Sequence, residues 1–252
     1  MKMKQLLLQQ GLLVIILFAS CNNKASKSEH IALTKIEGAP TAYILPSPDI
    51  DGDISVEKAL ANRRSHRNFV DREISAEQLS QILWAAYGVT ELMPNYPFLR
   101  GGLRTAPSAG ALYPFEIYVV AGKVKNIEAG VYKYISQEHK IVMTIDKDLR
   151  EALYLAALRQ DMIKEAPAVI VYSAIFSRMT DKYGVRGRER YVCMDLGHSA
   201  QNVYLQAEAL HLGTCAIGAF NDSEICKTLQ LPENEEPLCI MPIGYYYKQR
   251  EF

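Results

Sequence analysis

From Ser75 onward the apolar residues Leu79, Ile82, Leu83 and Ala86 recur at three- and four-residue spacing. This predicts an amphipathic helix over "SAEQLSQILWAAYG", with Ser75 as N-cap, Gln78 three residues on, and Gly88 as the stop. A shorter helical pattern precedes it in "ISVEKALANRR". The period then falls to two or becomes continuous, predicting strands at "FEIYVVA", "GVYKYIS" and "KIVMTI". A helix is expected at "KDLREALYLAALRQ", a buried strand at "APAVIVYSAIF", and a long helix at "YVCMDLGHSAQNVYLQAEALHLG". A short strand "TCAIGAF", a helix "SEICKTLQL" and a last strand "LCIMPIGYYY" complete the pattern. Strands and helices do not alternate as regular βαβ units, so the expected class is α+β rather than a doubly wound sheet. No internal repeat or low-complexity tract interrupts it.

The first residues follow a different rule. "MKMKQLLLQQGLLVIILFASC" has lysines at its start, an apolar run from Gly11 to Ala19, and small residues leading to Cys21, the layout of a secretory signal peptide. "FASC" resembles a bacterial lipobox, in which the signal is removed before a lipid-bearing cysteine. The alternative is an uncleaved anchor, but the apolar run falls short of the roughly 20 residues a span needs. The expectation is a signal peptide at 1–20, a lipid-anchored tether at 21–45 that includes the polar "NNKASKSEH", and one folded domain at 46–252. The protein then lies in the bacterial cell envelope, on the periplasmic or outer-membrane face, held by lipid on Cys21.

Composition narrows the function. The 252 residues are 49% hydrophobic, enough for one sizeable core, and Lys+Arg equals Asp+Glu at 28 each. Without a basic excess, a nucleic-acid partner is not expected. Cys193, Cys215, Cys226 and Cys239 show no CxxC pair and no His/Cys spacing of a zinc site, so no metal centre is expected. Export permits a disulfide among them, but spacing names no pair.

Three segments carry candidate chemistry. In "NRRSHRNF", Arg63, Arg64 and Arg67 with Ser65 place three fixed positive charges and a hydroxyl within about one helical turn. That set can hold a phosphate by charge-assisted, bidentate bonds, or simply complement the helix dipole in water. In "RTAPSAGALYP", Pro107, Ser108, Ala109, Gly110 and Ala111 leave the backbone nearly bare before a buried strand, suiting a flat ligand laid on the main chain or an ordinary turn. "TCAIGAF", with Ile217, Gly218 and Ala219, repeats that character at a strand end.

In order along the chain, "RRSHRNF", "SAEQLSQILWAAYGVT", "RTAPSAGALYPFEIYVV", "GVYKY", "KYGVRGRERYVCMDLGHSAQNVYLQAEALHLGTCAIGAF" and "MPIGY" resemble the nitroreductase superfamily of flavin mononucleotide (FMN) enzymes. Within it they resemble the SagB-type dehydrogenases, which oxidise azolines to azoles on peptide precursors. The resemblance spans about Pro46 to Tyr245. It implies a nitroreductase-like α+β fold, a central antiparallel or mixed sheet flanked by helices, in a homodimer whose FMN sites lie at the interface.

By that resemblance Arg63, Arg64, Ser65 and Arg67 bind the ribityl phosphate end of FMN, and Pro107, Ser108, Ala109, Gly110 and Ala111 lie along the flavin. Ile217, Gly218 and Ala219 approach its N5 edge, and Lys248 and Arg250 stand where relatives place a further phosphate ligand. The long helix with Gly197, Ala200 and Ala207 is the expected dimer contact, or else a core helix of a monomer. His198 and His211 on it are expected to be structural. Lys182 and Tyr183 match the Lys-Tyr pair of SagB-type enzymes, thought to assist proton removal from the substrate. A lysine whose pKa is lowered by desolvation can act as a base and a tyrosine can relay the proton; otherwise they are an exposed lysine and a packed tyrosine. The expected function is FMN-dependent hydride transfer with a small-molecule or peptide substrate. The alternatives are an NAD(P)H-dependent nitroreductase and a flavin- or ligand-binding lipoprotein without turnover.

Overall fold

A computed structural model describes residues 31–247 except Ala39. The strands β1 (Thr34–Ile36), β2 (Ala42–Ile44), β5 (Phe115–Ala121), β6 (Gly130–Ile135), β7 (Lys140–Ile145), β8 (Ala168–Ala174), β9 (Gly213–Thr214) and β10 (Glu236–Gly244) form one sheet, and β3 (Val89–Leu92) pairs with β4 (Gly102–Arg104) separately. The sheet order is β1-β2-β7-β6-β5-β8-β10-β9, and every pairing is antiparallel. Helices pack on both faces of this antiparallel sheet.

Buried residues divide into two layers, one on each side of the sheet. Along β5, Ile117 and Val119 belong to one layer while Tyr118 and Val120 belong to the other, and in β8 Ile170 and Tyr172 alternate in the same way with Val169 and Val171. Both strands are therefore apolar on both sides, which is why they read as continuous apolar runs. The first layer packs on α2 (Ala76–Tyr87) and α6 (Val192–Ala209), with α1 (Val56–Asn62) against α6. The second packs on α3 (Arg150–Ala156), α4 (Met162–Glu165) and α7 (Asp222–Leu229). The remaining helix, α5 (Ser177–Tyr183), follows β8. At the start of α2, Ser75 Oγ accepts from the Gln78 amide while the Gln78 side chain accepts from the Ser75 amide, a complete capping box.

The structure differs from the sequence pattern at several places. β1 and β2 are strands of the main sheet, and Tyr43 and Leu45 are buried, so the fold begins before the boundary expected at Pro46. Signal peptide and Cys21 lie outside the described residues. The helix expected over 147–160 is shortened to α3, with α4 following separately, because Leu158 and Arg159 take positive φ values of 56° and 59°. The turn they make carries Ile163 into the second layer. The helix expected from Tyr191 starts earlier, with a π-helical turn at Gly187–Tyr191, and ends before His211, whose φ is 57°. In "TCAIGAF" only Thr214 is in a strand, joined by one bridge from Ile217 to Ile240. All four described cysteines are free; Cys215 and Cys239 are buried in different layers.

Candidate active site

The arginine segment leaves α1 through Arg63, whose amide closes the helix on the Ala59 carbonyl. It then runs beside β9: Ser65 bridges Thr214, and the His66 amide donates to the Thr214 carbonyl at 3.0 Å. Gly213 permits this approach, since a Cβ there would meet His66 Cβ at 2.8 Å and Tyr246 Cδ1 at 2.9 Å. Tyr204 of α6 ties the segment down. Its hydroxyl lies 3.1 Å from Ser65 Oγ and accepts from the Ala216 amide at 2.8 Å, while Arg63 covers its ring at 5.2 Å. The structure thus brings "RRSHR" and "TCAIGA" together.

Arg63, Arg64 and Arg67 form no ion pair among the described residues; Arg64 only donates to the carbonyls of Ala61 and Arg63. Beside them Thr214 is buried, and its Oγ1 has no hydrogen-bond partner among the described residues. Unpaired guanidinium groups next to an orphaned hydroxyl are the donor set that a phosphate satisfies. The residues present therefore fit the phosphate end of a flavin mononucleotide. Ile217 is buried whereas Gly218 and Ala219 are exposed, with the Ala219 carbonyl taken by Gln160 at 2.8 Å. Lys248 and Arg250 lie outside the described residues.

The small-residue tract is held from the other side. Gly110, Ala111 and Tyr113 have φ values of 64°, 54° and 47°, a strained run for the last two. Asp195 of α6, 3% exposed, fixes it by accepting from Ser108 Oγ at 2.5 Å and from the Ala109 amide at 3.1 Å. Ser108 Oγ in turn accepts from the Tyr113 amide at 2.9 Å. Burial raises the Asp195 carboxyl above its ordinary pKa, and these two hydrogen bonds oppose the rise. Against this loop lie Lys182 and Tyr183 at the end of α5: a Cβ on Gly110 would stand 2.5 Å from the Tyr183 hydroxyl and 3.0 Å from Lys182 Nζ. Tyr183 is half-buried and meets the Tyr191 ring edge-on at 4.8 Å. Lys182 is exposed, so burial within one chain does not supply the desolvation expected of a lysine base.

The candidates therefore form two groups, Arg63–Arg67 with Thr214–Ala219, and Pro107–Ala111 with Lys182–Tyr183. Both anchor on α6. Tyr204 and Asp195 are nine residues apart, which at 100° per residue places them on opposite faces, about 13.5 Å apart along the axis. The two groups are thus held from opposite faces of α6.

Two residues that do this work, Tyr204 and Asp195, were not among the sequence candidates. Asp195 did carry a signal: it stands in the buried spacing Val192, Asp195, Ser199, Val203, where an acid is out of place unless it is hydrogen-bonded. Tyr204 carried none, because a half-buried tyrosine on a helix is common.

Comparisons with known proteins give the family. A protein of Methanocaldococcus jannaschii named as a nitroreductase is 47% identical over 197 residues, covering 78% of this chain and 93% of that protein. The microcin B17-processing protein McbC of Escherichia coli is 27% identical over 244 residues, covering 88% and 86%. The FMN reductase [NAD(P)H] of Bacillus subtilis is 26% identical over 204 residues, covering 75% and 65%. A nitroreductase structure from Ralstonia eutropha JMP134 superposes with a TM-score of 0.69 at 28% identity, covering 87% of this chain and all of that one. The profile of the nitroreductase family matches residues 60–245, from the end of α1 to the residue after β10. With both candidate groups inside that span, the chain is a member of the nitroreductase family, a family of flavoprotein oxidoreductases.

Proposed function

We propose that this protein is an FMN-dependent oxidoreductase of the SagB-type dehydrogenase kind, active as a homodimer on a small-molecule or peptide-derived substrate. One observation carries the reading: Lys182 and Tyr183 stand directly against the bare backbone at Gly110. Arg63, Arg64, Ser65 and Arg67 would hold the phosphate, with Thr214 beside them. Pro107, Ser108, Ala109, Gly110 and Ala111 would flank the ring system, with Ile217, Gly218 and Ala219 at its other edge. When bound, the flavin supplies two-electron hydride chemistry.

The chain's own residues do the rest. Asp195 holds the 108–113 loop in its strained form, Tyr191 orients Tyr183, and Tyr183 with Lys182 carries the proton removed from the substrate as it is oxidised. Because the two residue groups face opposite sides of α6, a second copy completes each site, and desolvation of Lys182 comes from that assembly. The 27% identity to a microcin-processing protein supports a peptide-derived substrate. A second reading, reduction by NAD(P)H, is supported by the 26% identity to the Bacillus subtilis FMN reductase.

Anaerobic mixing separates these readings. On the first, a peptide carrying a thiazoline or oxazoline bleaches the flavin and NADH or NADPH does not. Lys182→Ala and Tyr183→Phe then slow bleaching by about 10²-fold at unchanged flavin content, the scale of general base catalysis. Rapid bleaching by NADH or NADPH selects the second reading, and a flavin reduced by neither marks a binder without turnover. Unchanged kinetics in both variants removes Lys182 and Tyr183 from the chemistry.

The envelope location is part of the same proposal. Cys21 would carry lipid after removal of residues 1–20, leaving the fold to face solvent on a short tether. Cys21→Ala should abolish incorporation of labelled palmitate and release the protein from membranes; retention as an integral membrane protein refutes the lipid anchor.

A further inference from the structure

A cavity of about 130 Å³ opens where the start of β5, the end of β6 and α5 meet the segment around β4. None of its lining residues belongs to the two groups described above. Three guanidinium groups line it, those of Arg100, Arg104 and Arg178, and its one carboxylate is Glu116.

That carboxylate is already engaged. Glu116 accepts from Arg178 Nη2 at 2.5 Å and from Lys133 Nζ at 3.0 Å, and Lys133 shares its remaining charge with Glu235 at 3.0 Å. Four cations thus meet two carboxylates, and Arg100 and Arg104 form no ion pair among the described residues. Arg104 is spent on neutral acceptors: it donates to the carbonyls of Tyr87 and Arg100 and to Ser136 Oγ, between the rings of Tyr87 and Tyr113 at 4.4 and 4.9 Å. Its Nε is buried and finds no acceptor among the described residues. Arg100 reaches a single acceptor, the Leu112 carbonyl, through Nε at 3.4 Å, which leaves its two terminal amino groups without an acceptor among the described residues.

Half-buried positive charge without a counterion is costly. Burial, and after it the neighbouring Arg178 charge, pulls the Arg100 guanidinium below its ordinary pKa; burial does the same to Arg104. An anion entering the cavity relieves both.

We propose that this cavity binds a carboxylate, carried by a small organic acid or by the free C-terminus of a peptide, with Arg100 as its principal ligand. The planar fork of a guanidinium matches the two oxygens of a carboxylate. The cavity has room for such a group and a short carbon stem, and Phe115, Ile117 and Tyr134 give that stem an apolar wall. Glu116 in the lining disfavours a dianion such as phosphate more than it disfavours a monoanion.

Titrating the full-length protein with propionate, while following arginine side-chain ¹⁵N resonances, tests this without any assay of turnover. Propionate should shift the Arg100 Nε resonance saturably, and neutral propionamide should not. Arg100→Gln should weaken propionate by roughly tenfold or more, the loss of one charge-assisted contact. Glu116→Gln should tighten it, an opposite effect that stands if Arg100→Gln fails to fold. A tripeptide with a free C-terminus that binds better than both propionate and its own C-terminal amide assigns the carboxylate to a peptide end; tighter binding of propionate assigns it to a free acid. Absence of a saturable shift, equal binding of propionamide, tighter binding of phosphate, or unchanged affinity in Arg100→Gln overturns the proposal.

Discussion

His139 shows how a single half-buried side chain makes stability depend on pH. Its Nε2 lies 2.7 Å from Ser80 Oγ and 3.0 Å from the Pro46 carbonyl, and its Nδ1 lies 2.8 Å from the Tyr134 hydroxyl, partners that suit a neutral ring. Burial pushes its pKa below the ordinary value of 6.5, and burial followed by the Arg64 charge does the same to His66. The unfolded chain therefore takes up protons near pH 6.5 that the native chain resists, so stability is full above that pH and falls as pH drops through it toward the lowered native value. Asp195 acts in the opposite sense: its pKa is raised, so its contribution is fully present below the ordinary value of 3.8 and is lost as pH rises through the raised one. The urea midpoint should decline between pH 7 and pH 5, and His139→Gln should flatten that decline. An equal slope in the variant would assign the pH dependence to other groups.

At the scale of elements, the sequence was read most accurately where local chemistry and packing agree. The Ser75 capping box defined the start of α2, and the continuous apolar run at 115–121 is β5 residue for residue. Reading failed where an element is interrupted by backbone geometry. Leu158 and Arg159 are good helix formers, yet their left-handed conformation splits 150–165 in two so that both Leu153 and Ile163 reach the core. The π turn at 187–191 escaped for a related reason, since an inserted residue leaves the apolar pattern nearly unchanged while rotating what precedes it. α6 has the largest role of any element in the candidate site. It holds the loop at 108–113 through Asp195 and the arginine segment through Tyr204, on opposite faces.

At the scale of the molecule, that opposition fits the proposed homodimer. Cys193, Met194, Gly197 and His198 form an exposed stretch of α6, and a Cβ at Gly197 would meet nothing within 4 Å in this chain. Gly197→Gln should therefore leave the protomer folded, with a helix slightly favoured over the glycine form. If α6 packs against its counterpart, the same change should yield monomers in sedimentation and strip the flavin from purified protein. A dimeric, flavin-replete Gly197→Gln protein would move the interface elsewhere.

The residue pattern by itself determined the α+β class and most of the strands and helices, and it marked the segments "RRSHR", "PSAGA" and "TCAIGA" as the candidates for holding a ligand. These depend on interactions within a few residues: side-chain period, capping, and the small volume of Gly and Ala. Tertiary structure alone decided which segments meet. Ser65 joins Thr214 across 149 positions, and Gly110 meets Tyr183 across 73, as consequences of sheet order and of the two faces of α6. It also decided that residues 34–36 and 42–44 belong to the sheet, because three-residue strands carry too little periodicity to be read and are stabilised by pairing with each other and, for β2, with β7. The arginine cavity belongs to the same class: Arg178 lies 74 positions beyond Arg104 in sequence, and only the packing of β5, β6 and α5 brings it to Arg100 and Arg104 and leaves their charge short of partners.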